Sequence, residues 1–151
     1  MQLLALTSLL LSFAVPCAPG PLGQCACVPP GYGTPPEAAL RARYGAADVV
    51  MLATALAAPE AGERAPRVRV DRVWKGAVTA GVVVSLDTMR ETTCEVYLTP
   101  GVQYLVYASR RADDVLQVGR CSGTESAGAS GFDLARLPAL SHATERRAPK
   151  P

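Results

Sequence analysis

Histidine is nearly absent from this sequence, since His142 is the only one. That count excludes a multi-histidine metal site, and the residue lies in a C-terminal stretch with no apolar periodicity, a poor setting for a catalytic triad. Aromatic residues make up only 5% of the chain against a hydrophobic share of 49%, so a packed core must come from Val, Leu and Ala. Net charge is small: 15 Lys and Arg stand against 13 Asp and Glu, a formal excess of +2. So small an excess excludes strong electrostatic capture of nucleic acid or of an anionic membrane. No apolar run reaches the length of about twenty residues that a membrane-spanning helix needs. There is no paired C-x-x-C knuckle, which argues against a structural zinc site. Asp113-Asp114 is a carboxylate pair between Arg111 and Val115 with no partner acid or base, and reads as a solvated turn between strands. An enzyme is therefore the least supported class, and no cofactor is expected.

What is present points outward from the cell. Residues 3–16 form an uncharged apolar run closed by Pro16, long enough for the core of a secretory signal, though no Lys or Arg precedes it. Residues 1–24 are read as that signal, with an extracellular destination, or a periplasmic one in a bacterium. Cys17 falls inside or just after the leader, and Pro16 stands where lipid attachment to a cysteine wants a small residue. The remaining four, Cys25, Cys27, Cys94 and Cys121, are an even set in a small exported domain, the arithmetic of a disulfide framework. Four thiols allow three connectivities, and their spacing does not choose among them.

Beyond the cysteines, Pro and Gly dominate residues 28–36 and block regular structure. A short helix is expected from Pro36 to a stop at Gly45, with Leu40 and Tyr44 one turn apart on its core side. From Asp48 the signal changes to strands. Residues 48–56 are a nearly continuous apolar run, while Val68 and Val70 alternate with Arg67, Arg69 and Asp71. Further strands are read at 81–88, at 94–101 with Val96 and Leu98 on one face, at 102–109, and at 115–121 ending near Cys121. Arg64, Arg67, Arg69 and Arg72 are interleaved with Glu60, Glu63 and Asp71, a mixed face rather than a basic patch. Trp74, Tyr97, Tyr104 and Tyr107 could stack bases or sugars, but at this charge they read better as barrel filling. A brief helical turn should end before Pro138, and residues 141–151 are read as a disordered tail. Short strands without a β-α-β rhythm make an all-β sandwich or small barrel occupying residues 25–140, and closure into a barrel removes exposed edges.

Cys25-Ala26-Cys27-Val28-Pro29 resembles the mature N-terminus of the tissue inhibitors of metalloproteinases, whose signature there is Cys-x-Cys-x-Pro. Ala47-Asp48-Val49-Val50 resembles that family's first strand, and Val73-Trp74-Lys75-Gly76 the end of its second. Glu91-Thr92-Thr93-Cys94, followed by Gly101-Val102-Gln103-Tyr104-Leu105, resembles the segment holding the first partner cysteine and the strand after it, and Cys121 stands where the second partner is expected. The resemblance implies a netrin-like module, an all-β, five-stranded OB-like closed barrel with one or two short helices. It implies Cys25 paired with Cys94 and Cys27 with Cys121, bridges that close loops long enough to contribute roughly 4 kcal/mol each.

It also implies an activity: a secreted, monomeric inhibitor of zinc metalloendopeptidases. A catalytic zinc keeps one coordination position open for water. By resemblance, the free α-amine and carbonyl oxygen of Cys25 chelate that zinc, which belongs to the partner protease, and displace the water. Ala26 enters the specificity pocket, and Cys27, Val28, Pro29, Thr92, Thr93, Cys94 and Glu95 complete the contact ridge. Chelation requires processing immediately before Cys25, whereas cleavage after Cys17 or Gly23 suits a signal peptidase at least as well. A third cysteine pair found in the family's inhibitory domain is missing here. The alternative is a non-inhibitory netrin-like module for extracellular binding or adhesion.

Overall fold

The computed structural model describes Cys27 and residues 33–57, 65–90 and 92–145. The first helix, α1 (Pro36–Ala46), begins on a proline, whose missing N–H is not needed in a first turn, and buries Leu40 and Tyr44. It runs one residue past the expected stop at Gly45 and ends where Ala47 turns extended, its N–H still bonded to the Arg43 carbonyl. The Lys75 ammonium donates to the carbonyls of Tyr44, Gly45 and Ala47 at this end, where orphaned carbonyls and the helix dipole both favour a cation. The Tyr44 hydroxyl returns a bond to the Trp74 carbonyl at 2.9 Å. Gly76 follows with φ +96°, and a Cβ there would lie 2.6 Å from the Asp48 carbonyl oxygen. The Trp74-Lys75-Gly76 motif is thus a buckle that fastens α1 to the barrel.

Six strands follow: β1 (Val49–Ala55), β2 (Arg67–Lys75), β3 (Val83–Asp87), β4 (Gln103–Arg110), β5 (Leu116–Gln117) and β6 (Glu125–Ser126). β1 pairs antiparallel with β2 and β4, β2 with β3, and β4 with β5, while β3 and β5 run parallel. Following the pairings gives β1-β2-β3-β5-β4 and back to β1, a closed five-stranded OB-like barrel with β6 added on β4. Two register shifts between β1 and β2 leave Trp74 and Asp71 as the extra residues of β2, which coils that strand around the barrel. A final helix, α2 (Gly131–Glu145), packs outside. Among the described residues no helix is long and apolar enough to cross a membrane.

The described residues form two cores. Inside the barrel lie Val49, Met51, Ala53, Val68, Val70, Leu86, Tyr104 and Val106 with their neighbours. Outside it, Val50, Leu105, Tyr107 and Trp74 meet Leu40 and Tyr44 of α1 and Leu137 of α2. Because β1 and β4 are covered on both faces, their sequences are continuously apolar rather than alternating. Asp133, in the first turn of α2, accepts from Arg43 of α1 at 2.8 and 2.9 Å and from the Tyr107 hydroxyl of β4 at 2.7 Å. Burial, reinforced by the Asp133 carboxylate, pushes the Tyr107 phenol well above its ordinary range.

Several sequence expectations need correction. No strand forms at 94–101: the segment has no partner strand, although Leu98 does pack on the barrel core. The last barrel strand is only Leu116–Gln117, after which a 3-10 turn (Arg120–Ser122) carries Cys121. α2 passes through Pro138 to Glu145, so residues taken as tail are helical; Leu137 and Ser141 are buried, and that packing outweighs the missing proline N–H. Of the four aromatics read as barrel filling, only Tyr104 fills it. Trp74 and Tyr107 belong to the outer core, and Tyr97 is 72% exposed.

Candidate functional site

Cys27, the segment carrying Cys94 and the turn carrying Cys121 meet at one end of the barrel. Cys27 is disulfide-bonded to Cys121, with the two Cα atoms 5.1 Å apart, as the resemblance implied. Cys94 is disulfide-bonded as well. Its expected partner Cys25, together with Ala26, Val28 and Pro29, lies outside the described residues. The link between the two cysteine-bearing segments is a backbone bond: the Arg120 N–H donates to the Cys94 carbonyl at 2.9 Å. The Cys27–Cys121 bridge therefore stands directly beside the segment that carries Cys94.

Local chemistry shapes that segment. The Met89 N–H donates to Asp87 Oδ1 at 2.9 Å, and Met89 takes a left-handed conformation with φ 56°. The Thr92 hydroxyl donates to the Met89 carbonyl at 2.7 Å, and the Cys94 N–H donates back to that hydroxyl oxygen at 3.2 Å. The Glu95 N–H reaches the Thr92 carbonyl, and the Val96 N–H reaches the Thr88 carbonyl at 3.2 Å, which closes the loop at its base. Thr92 and Thr93 are exposed at the tip, while Cys94 and Glu95 are half-buried, with Glu95 Oε1 3.9 Å from Arg90. Threonines suit this position because their hydroxyls satisfy turn backbone that has no ladder to join.

The base is braced by residues that sequence reasoning did not single out. Asp87 Oδ2 accepts from Arg111 and Gln117, each at 2.9 Å. The Met89 N–H is the largest influence on the Asp87 carboxyl. Partial burial opposes it, Gln117 and Arg111 assist it, and the net result lies below the usual carboxylate value. Gly119 leaves room for Met89, since a Cβ there would sit 2.7 Å from the Met89 sulfur. Each carboxylate of the Asp113-Asp114 pair is exposed and meets an arginine: Asp113 lies 3.1 Å from Arg111, and Asp114 lies 2.7 Å from Arg110. On the mixed face, burial raises the Asp71 carboxyl, but bonds from Thr54, Gln103 and Arg69 outweigh it and leave it below its usual value. His142 lies in α2, and no group of three metal-ligating side chains occurs among the described residues.

Sequence signals could have located only part of this arrangement. Cys94 and Cys121 were legible from parity, but nothing in the residue types marks Asp87, Gly119 or the Arg120 backbone as supports. What the geometry offers is an exposed loop tip at Thr92 and Thr93 beside the Cys27–Cys121 crosslink, which itself borders a recess of about 560 Å³ lined by Arg43, Tyr107 and Arg120. In comparison with known proteins, the chain matches no protein-family model and no curated protein to a significant degree.

Proposed function

We propose that this protein inhibits zinc metalloendopeptidases in the manner of the tissue inhibitors of metalloproteinases. The observation that carries the reading is the bond from Arg120 to the Cys94 carbonyl beside the Cys27–Cys121 bridge. It sets Cys27 and its bridge beside residues 92–95, which supports a two-part contact ridge. The amine and carbonyl oxygen of Cys25 occupy the open position on the protease zinc, closing a small chelate ring and displacing the water that would attack a peptide. The Cys27–Cys121 bridge, with Cys25 tied to Cys94 as the resemblance implies, pre-orders the ridge, so docking loses little conformational entropy. Thr93 offers its hydroxyl to the backbone of the protease cleft, while the Thr92 hydroxyl, bonded to the Met89 carbonyl and the Cys94 N–H, holds the tip in shape.

The test is chemical. Protein beginning at Cys25 is compared with protein that retains Gln24, against zinc endopeptidases of the thermolysin and metzincin types. The expected result is inhibition by the first form and a loss of at least about 100-fold in the second, whose blocked amine cannot reach the metal. Equal potency of the two forms would refute zinc chelation.

A further inference from the structure

The ridge has a shoulder that the inhibitory reading leaves without a role. Tyr97 is 72% exposed. Tyr44, Trp74, Tyr104 and Tyr107 are buried, and Phe132 packs against the outer core, so among the described residues Tyr97 alone leaves its ring in solvent. Scattered exposed valines such as Val83 need no explanation. An aromatic ring on a fixed mount does, and the backbone around Tyr97 is fixed on both sides. On one side the Val96 N–H is bonded to the Thr88 carbonyl at 3.2 Å. On the other, Leu98 packs on the barrel core, and the Thr99 N–H donates to the hydroxyl oxygen of Tyr104 at 2.9 Å. The ring is therefore held outward by the conformation of its neighbours.

The same Thr88–Val96 bond closes the base of the loop whose tip is Thr92 and Thr93. One foot of that base borders a recess of about 670 Å³ lined by Pro66, Leu86, Thr88, Arg90 and Val115. The other foot carries Tyr97. We infer that Tyr97 is the anchor residue of the protease-facing surface, seated in an apolar recess of the same zinc endopeptidase that the ridge engages; this rests on the function proposed above. A tyrosine has few rotatable bonds, so a pre-held ring presents a large contact area at small entropic loss. The sequence gives a reason to need one. Ala26, the residue assigned to the specificity pocket, offers a single methyl, so affinity and partner choice must come from elsewhere on the surface.

The experiment measures inhibition constants and dissociation rates against thermolysin-type and metzincin-type catalytic domains. The proteins compared are the form beginning at Cys25, its Tyr97→Ala, Tyr97→Phe and Val83→Ala variants, and the form retaining Gln24. Tyr97→Ala should weaken inhibition about 30-fold, mainly through faster dissociation. Tyr97→Phe should stay within about threefold, because the ring and not the hydroxyl fills the recess. Val83→Ala, also exposed, should change nothing beyond about twofold. Unchanged thermal unfolding of Tyr97→Ala checks that the fold is intact. If Tyr97→Ala inhibits as well as the parent while the Gln24 form is inactive, the anchor is wrong and zinc chelation stands. If Tyr97→Ala is weakened and the Gln24 form is as potent as the parent, the anchor stands and chelation is wrong. If the parent inhibits neither protease, both fall.

Discussion

Val50, Leu105 and Tyr107 sit between the barrel and its two helices with at most 1% of their surface exposed, while Thr92 and Thr93 stand in solvent at the tip of a loop. The helix-covered side is held by apolar burial on both faces of β1 and β4, closed by one carboxylate that ties α1, β4 and α2 together. The ridge end has little apolar burial of its own. It is held by disulfides at Cys94 and Cys121, single backbone bonds and the Asp87 carboxylate. On the function proposed above, the difference separates stability from recognition: a surface that is to meet a partner cannot bury its side chains in its own core, so its shape has to come from crosslinks and backbone bonds.

The contrast can be broken most forcefully from the covered side. Leu105→Ala should destabilise the protein by about 3 kcal/mol in denaturant unfolding, the usual result of a cavity at a fully buried leucine. Thr93→Ala, at the exposed tip, should stay within about 0.5 kcal/mol. Equal effects at the two sites would erase the distinction.

A smaller effect is expected at Asp133, which is 4% exposed and serves two donors on separate elements. Asp133→Asn keeps the shape but removes the charge facing Arg43, and should lower stability by about 2 kcal/mol in thermal or denaturant unfolding. The smallest effect belongs to the ridge base. Asp87 is depressed below its ordinary value of 3.8, so its contribution is fully present above that pH and is lost as the pH falls through the depressed value. Acid titration of stability should therefore show a decline below pH 3.8 that is shallower in Asp87→Asn.

Much of the covered side was legible in the sequence. The unbroken apolar run at Val49–Ala55 and the alternation of Val68 and Val70 with charged residues report burial directly. The outer core was not, because a proline removes a helix donor and Pro138 therefore reads as a stop; only the tertiary packing of Leu137 and its neighbours shows why the helix continues. At the ridge, Val96 and Leu98 do follow a strand period, yet no strand lies beside them. Instead the Val96 N–H bonds to the Thr88 carbonyl and the Thr99 N–H to the Tyr104 hydroxyl oxygen, loop-closing partners that an alternating pattern does not report. The cysteines were legible by number alone, and the bond that brings their segments together was not.

Native-state hydrogen exchange, with and without a bound zinc endopeptidase, tests the separation of stability from recognition most directly. In the free protein, amides of β1 and β4 should exchange only through global unfolding, and those of 92–97 through local opening. On complex formation, protection should rise at 92–97 and leave β1, β4 and the β2–β3 face unchanged. Protection gained along β2 and β3 instead, with 92–97 unaffected, would contradict the assignment of the ridge as the partner surface.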